Sequence, residues 1–330
     1  MPAETVVITG ATAGVGRATA RAFARRGARI ALLARGADGL TATAAEVRAA
    51  GGEPLAIPTD VADSDAVESA AAAAERQLGP IDIWINCAMA TIFAPVHMIT
   101  PDEYRRATEV TYLGFVYGTM AALKRMRPRN RGTIVQVGSA LAYRSVPLQS
   151  PYCGAKHAIL GFMASLRSEL IHDGSAIHVT MVQMPALNTP QFDWARNKMP
   201  RRPQPVPPIF QPEVAAEGIY YAATHRRREL WVGWPAMKAI LAQRFIPGIL
   251  DRILAKVGYD GQHTNDPLPP GRRDNLYEPV PGDHGAHGRF DARSKPRSVQ
   301  LWLDMNRALL LGATMLVAGL GGMALRRRLK

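Results

Sequence analysis

The chain has 330 residues, 47% of them hydrophobic and 20% charged, with a formal net charge of +13. This composition excludes fibrous and intrinsically disordered classes, and the length suits one domain of about 200–250 residues with a large core plus an appendage. The positive excess is scattered in pairs and triplets such as Arg25-Arg26, Arg201-Arg202 and Arg226-Arg227-Arg228; without zinc-finger spacing or an aromatic–basic signature, it reads as solvated helix faces rather than a nucleic-acid surface.

The N-terminus passes from Met-Pro-Ala-Glu straight into a strand-like run, with no basic segment ahead of an apolar one. No signal peptide is expected, and a reducing, cytoplasmic setting follows for the unclustered Cys87 and Cys153. Strands are predicted at residues 5–9, 29–34, 54–58, 81–86, 133–138, 178–183 and 229–232, short and rich in Val and Ile on both faces. A strand buried between two helix layers has that pattern. Helices are predicted between them, at 17–26, 40–50, 64–78, 101–125, 152–172 and 212–224, rich in Ala, Leu, Glu and Arg. Regular alternation of strand and helix implies right-handed crossovers and a parallel sheet of about seven strands, a Rossmann-type doubly wound α/β fold flanked by helices, over residues 1–235.

The pattern changes after Gly233. Residues 236–259 form an amphipathic helical segment with a kink or break expected at Pro247-Gly248. Its apolar face suits packing on the domain or a second subunit, or a membrane surface. Residues 260–299 are rich in Pro, Gly, Asp and Arg and read as an extended linker, partly draped on the surface. His284 and His287 lie within it, and without a further ligand nearby no metal site is assigned. Residues 300–330 form a hydrophobic C-terminal helix. Within it, residues 308–325 carry no charge, and at about 1.5 Å per residue they are just long enough for a bilayer core. Arg326-Arg327-Arg328 beyond that run opposes the positive-inside tendency. A membrane anchor and a buried oligomer interface both stand as readings of this tail.

The first strand ends in Thr9-Gly10-Ala11-Thr12-Ala13-Gly14-Val15-Gly16, and a helix opens directly after it. Small residues let the backbone turn sharply and approach a pyrophosphate, to which the helix N-terminus offers unpaired N–H groups. The spacing is Thr-Gly-x-x-x-Gly-x-Gly, and here the chain resembles the short-chain dehydrogenase/reductase superfamily, in its single-domain branch. Further matches are Asp60-Val61 after the third strand, Asn86-Cys87-Ala88 closing the fourth, and Ser139 closing the fifth. Tyr152-x-x-x-Lys156 follows, then Pro185 and Thr189 after the sixth strand. The resemblance covers roughly residues 5–235 and implies a nicotinamide cofactor, held by these motif residues. It also implies pairing of subunits through the helices bearing Thr111 and Tyr152, hence a homo-oligomer.

The second strand ends Leu32-Leu33-Ala34-Arg35, with no carboxylate to hold the ribose hydroxyls. Arg35 is placed instead to pair with a 2′-phosphate, which predicts NADP(H) over NAD(H). Tyr152 and Lys156 lie four apart and share a helix face. A lysine ammonium there is expected to lower the tyrosine pKa and make Tyr152 the general acid and base. The resemblance adds a grip of Lys156 on the nicotinamide ribose, and Ser139 is expected to stabilise the substrate oxygen. Thr111 stands where the family carries an Asn whose main chain holds a relay water, and Met89 replaces the last glycine after Asn86. Leu141, Tyr143, Leu148, Met184, Pro185, Leu187, Phe192 and Trp194 are the expected substrate pocket. Their apolar character points to a hydrophobic ketone, aldehyde or alcohol. The alternatives are a non-catalytic, membrane-associated NADP-binding scaffold, or an epimerase or dehydratase on the same fold.

Overall fold

A computed structural model describes residues 3–307. Along its first two strands, β1 (Thr5–Thr9) and β2 (Arg29–Ala34), alternate residues face opposite sides. Val6, Ile8, Ile30 and Leu32 join the core under one helix layer, whereas Val7, Ala31 and Leu33 join the core under the other. A sheet apolar on both faces must be covered on both faces, and the crossover helices do this.

In chain order, α1 (Gly14–Ala24) follows β1, α2 (Ala37–Ala49) follows β2, and β3 (Glu53–Pro58) leads to α3 (Ser64–Leu78). After β4 (Ile83–Asn86) come α4 (Pro101–Thr108) and α5 (Gly114–Met126), joined by a π-helical turn at Glu109–Leu113. Then β5 (Thr133–Val137), α6 (Ser150–His172), β6 (His178–Gln183), α7 (Pro212–Thr224) and β7 (Glu229–Trp231) complete the layers. All seven strands are parallel, in the order β7-β6-β5-β4-β1-β2-β3. The order reverses between β1 and β4, which opens a crevice at their carboxyl ends. Pro54 and Pro58 are tolerated because β3 is an edge strand.

Local signals fix several boundaries. The Asp63 carboxylate accepts from the Asp65 and Ala66 amides and starts α3. Thr100 and Glu103 form a reciprocal capping box at α4. The expected single helix over 101–125 is instead interrupted by the π-helical turn. The amphipathic segment breaks at Pro247, as its sequence predicts, into α8 (Trp234–Phe245) and α9 (Pro247–Val257). No α9 residue is buried, and Ile249, Ile253 and Val257 are exposed. The stretch expected as a linker lies along the α/β domain, with Leu276, Ala286 and Phe290 buried, before α10 (Val299–Met305). Among the described residues, no helix is long and apolar enough to cross a membrane. The apolar run 308–325 lies outside the described residues.

Candidate active site

The carboxyl ends of the strands open into one cleft of about 490 Å³. Its first wall is the loop between β1 and α1. Gly10, with φ +68°, and Gly14, with φ +52°, both adopt the left-handed region. A Cβ on Gly10 would lie 2.7 Å from Ala88 Cα, and one on Gly16 would lie 2.1 Å from Gly10 O. Glycine is thus required at both positions by close backbone approach, the cradle that a pyrophosphate needs. Thr12, Ala13, Gly14, Val15 and Gly16 line the cleft. Thr9 does not: its hydroxyl accepts from the Cys87 and Ala88 amides at 3.0 and 3.2 Å, tying the β4 loop to β1.

Arg35, at the end of β2, lines the same cleft, as do Asp60 and Val61 after β3. Asp60 pairs with Arg106 and accepts from the Ala62 amide, so both carboxylate oxygens are engaged within the protein. Ala88 reaches the cleft, but the Asn86 side chain turns into the core. Its amide nitrogen donates to Phe115 O, Thr119 and Gln136, and its oxygen accepts from Trp84 Nε1. Asn86 therefore holds β4, β5 and α5 together. Thr111 is also fully buried; its hydroxyl accepts from Ala90 N and donates to Ala90 O, each at 2.9 Å.

At the chemical end, β5 presents Ser139, whose Oγ accepts from Leu141 N at 3.1 Å. One face of α6 presents Tyr152 and Lys156 beside it. Lys156 Nζ donates to Val137 O at 2.7 Å and lies 5.5 Å from the centre of the Tyr152 ring. Burial, the largest influence, holds the Tyr152 phenol well above its ordinary value, and hydrogen bonding to Ser139 opposes this. Burial also pushes the Lys156 ammonium down to about 7, with the nearby Cys87 acting weakly in the other direction. The expected lowering of the tyrosine by the lysine is thus absent from the protein alone, because desolvation penalises both charged forms.

Of the expected pocket residues, Leu141, Met184, Pro185, Leu187, Phe192 and Trp194 line the cleft, with Thr189 beside them. Tyr143 and Leu148 do not. The Tyr143 hydroxyl donates to Glu229 at 2.7 Å, and Leu148 is buried at a main-chain bend with φ +69°. Sequence reasoning missed the far wall. Gln149 donates to Gln262 at 2.7 Å there, flanked by Gln204, Pro205 and Val206 and by Pro235, Leu254 and Val257. It also missed Asn275, Pro279, Val280, Gly282 and His284, which line the nucleotide half. Such residues carry no local motif, since distant segments bring them together.

The sequence pattern of the short chain dehydrogenase family matches residues 4–199. The uncharacterized oxidoreductase YxnA of Bacillus subtilis is 30% identical over 327 residues, 98% of this chain and 91% of that one. Dehydrogenase/reductase SDR family member 7B of Bos taurus is 35% identical over 191 residues, 56% of this chain and 58% of its own length. A short chain dehydrogenase of Pseudocercospora fijiensis is 32% identical over 170 residues, 51% of this chain and 55% of that protein. The likeness to the last two thus covers about half of each relative, whereas the match to the Bacillus protein takes in nearly all of this chain. With the family pattern spanning well over half of the chain and an oxidoreductase similar along nearly its full length, this protein belongs to the short chain dehydrogenase family and is an NAD(P)-dependent oxidoreductase acting on CH–OH donors.

Proposed function

We propose that the protein reduces a hydrophobic ketone or aldehyde, or oxidises the matching alcohol, with NADP(H) preferred over NAD(H). The observation that carries this reading is one continuous cleft, with Arg35 at one end and Ser139, Tyr152 and Lys156 at the other. The glycine loop fits a dinucleotide, because it lines the cleft and leads directly into the N-terminus of α1, where main-chain N–H groups can meet a pyrophosphate. Gly10, Gly14 and Gly16 would hold the pyrophosphate with Thr12, Ala13 and Val15. Val61 and Ala88 would flank the base and ribose, Thr189 and Pro185 the nicotinamide, and Arg35 the 2′-phosphate. A bound reduced nicotinamide supplies the hydride.

The chain's own residues handle the proton. A phenol with a raised pKa keeps its proton at neutral pH, so Tyr152 is set to donate to the substrate oxygen in the reductive direction. Ser139 donates to the same oxygen and stabilises its developing charge. Lys156 stands beside the ring and, when protonated, steadies the phenolate left behind. Support for an apolar substrate comes from Leu141, Met184, Leu187, Phe192 and Leu254, which line the end of the cleft beyond Tyr152.

NADPH consumption over a panel of apolar ketones is the test. Tyr152→Phe is expected to slow turnover by about 10²–10⁴-fold while NADPH binding persists. Undiminished turnover in that variant refutes the role of Tyr152, and a higher kcat/KM with NADH than with NADPH refutes the role of Arg35.

A further inference from the structure

The stretch from Asp274 to Asp291 lies outside the region matched by the family pattern, yet it reaches the nucleotide half of the cleft at every turn. It begins beside the adenine end, where Arg106 Nε donates to Leu276 O at 3.1 Å while the same guanidinium pairs with Asp60. The Leu276 side chain is fully buried in the core and anchors this end. The segment next crosses the end of β2. Arg35 donates to Tyr277 O at 2.6 Å and to Asn275 O at 2.5 Å. Pro279 then lies 3.5 Å from where a Cβ on Gly36 would stand, and Gly282 N donates to Asp38 at 2.8 Å. At the glycine loop, Asp283 pairs with Arg17, whose side chain is 3% exposed and also grips Glu46. Gly285 O accepts from Gly14 N at 3.3 Å. Finally Phe290 N donates to Asn188 Oδ1 at 3.0 Å, next to the Thr189 loop.

This path is not that of a passive linker. The ties to Arg35, Arg17, Gly14 and Asn188 are made to residues that bind the nucleotide in the function proposed above, or to their immediate neighbours. A guanidinium has five N–H donors in a rigid fork. The two carbonyls of the strap use two of them and set the plane in which the rest are presented.

We propose that residues 274–291 form the outer wall of the nucleotide site. In this arrangement Asn275 and Tyr277 are positioning residues that orient Arg35 for the 2′-phosphate. The strap must also open before the dinucleotide can leave, so strap opening limits cofactor release. This inference rests on the cofactor reading above, but its readouts are binding and exchange rather than turnover.

The experiment is displacement of NADPH fluorescence by excess NADP⁺ from the full-length protein. Asp283→Ala removes one of the two carboxylates paired with Arg17 and leaves the glycines of the cradle in place. Breaking a charge-assisted tie of this kind should speed NADPH release by about tenfold or more. Leu276→Ala should do the same and should also reduce the ratio of NADPH to NADH affinity, because the carbonyls that orient Arg35 lose their anchor. For a readout independent of any variant, amide hydrogen exchange over 274–291 in the wild-type chain should slow by about tenfold or more when NADPH saturates the site, since the liganded cleft resists opening. Folded variants with wild-type release rates and affinity ratios, or exchange indifferent to NADPH, overturn the strap while leaving the cofactor reading intact. Failure of the wild-type chain to bind NADPH overturns both.

Discussion

Burial decides the protonation chemistry of individual residues before any ligand arrives. Lys156 is nearly inaccessible, and its ammonium is held near 7, against 10.5 for an ordinary lysine. The unfolded chain therefore binds a proton at this site up to about pH 10, whereas the folded chain releases it near 7. Between those limits the unfolded state holds more protons, so stability rises with pH and is lost as pH falls toward 7. Lys156→Met removes this dependence. Thermal unfolding from pH 7 to 9 should show the wild-type Tm gaining on that of the variant by up to roughly 3 °C per pH unit. Parallel Tm profiles would disprove a displaced lysine. The Tyr152 and Lys156 pair was legible in the sequence from spacing, since four residues are about one helical turn, whereas Ser139 was legible only through the family resemblance. The direction of the tyrosine shift was not, because desolvation depends on what surrounds the ring.

At the scale of elements, the junction between α4 and α5 shows how a local irregularity serves the site. The π-helical turn at Glu109–Leu113 carries Thr111, which faces the loop after β4 and satisfies both the amide and the carbonyl of buried Ala90. A β-branched residue of the same shape but without a hydroxyl strands those two groups. Thr111→Val should therefore cost about 1–3 kcal/mol of stability in urea denaturation, with Thr111→Ser close to wild type. Equal stability of Thr111→Val and the wild type would remove the structural role assigned here. The sequence predicted a continuous helix across this junction, because periodicity does not register one extra residue in a turn. It did predict the break at Pro247, where proline cannot donate to the helix ladder.

For the whole molecule, the distribution of charge along the cleft sets what it can accept. Among the described residues, the charged side chains lining it are Arg35 and Asp60 at the nucleotide end and Lys156 at the chemical end. Beyond Tyr152 the wall is apolar apart from glutamines, and Gln149 and Gln262 are already bonded to each other. A ketone carrying a carboxylate at that end would lose hydration without gaining a partner. Its kcat/KM should be lower by about tenfold or more than that of its uncharged analogue. A preference for the charged substrate, measured by NADPH consumption, would show that a cationic group outside this wall takes part.

The sequence by itself determined the α/β class, the strand positions to within two residues, the glycine cradle and the Tyr-x-x-x-Lys pair. Each is encoded within a short window by periodicity, backbone permissiveness or helical spacing. Tertiary structure alone decided that Asn86, Thr9 and Thr111 brace the loops with their side chains instead of lining the cleft, and that Tyr143 and Leu148 lie outside it. It alone joined residues 274–291 to Arg17 and Arg35, some 240 or more positions earlier in the chain. Contacts at that separation depend on where the sheet and helices place distant segments, and no local pattern in either segment encodes them.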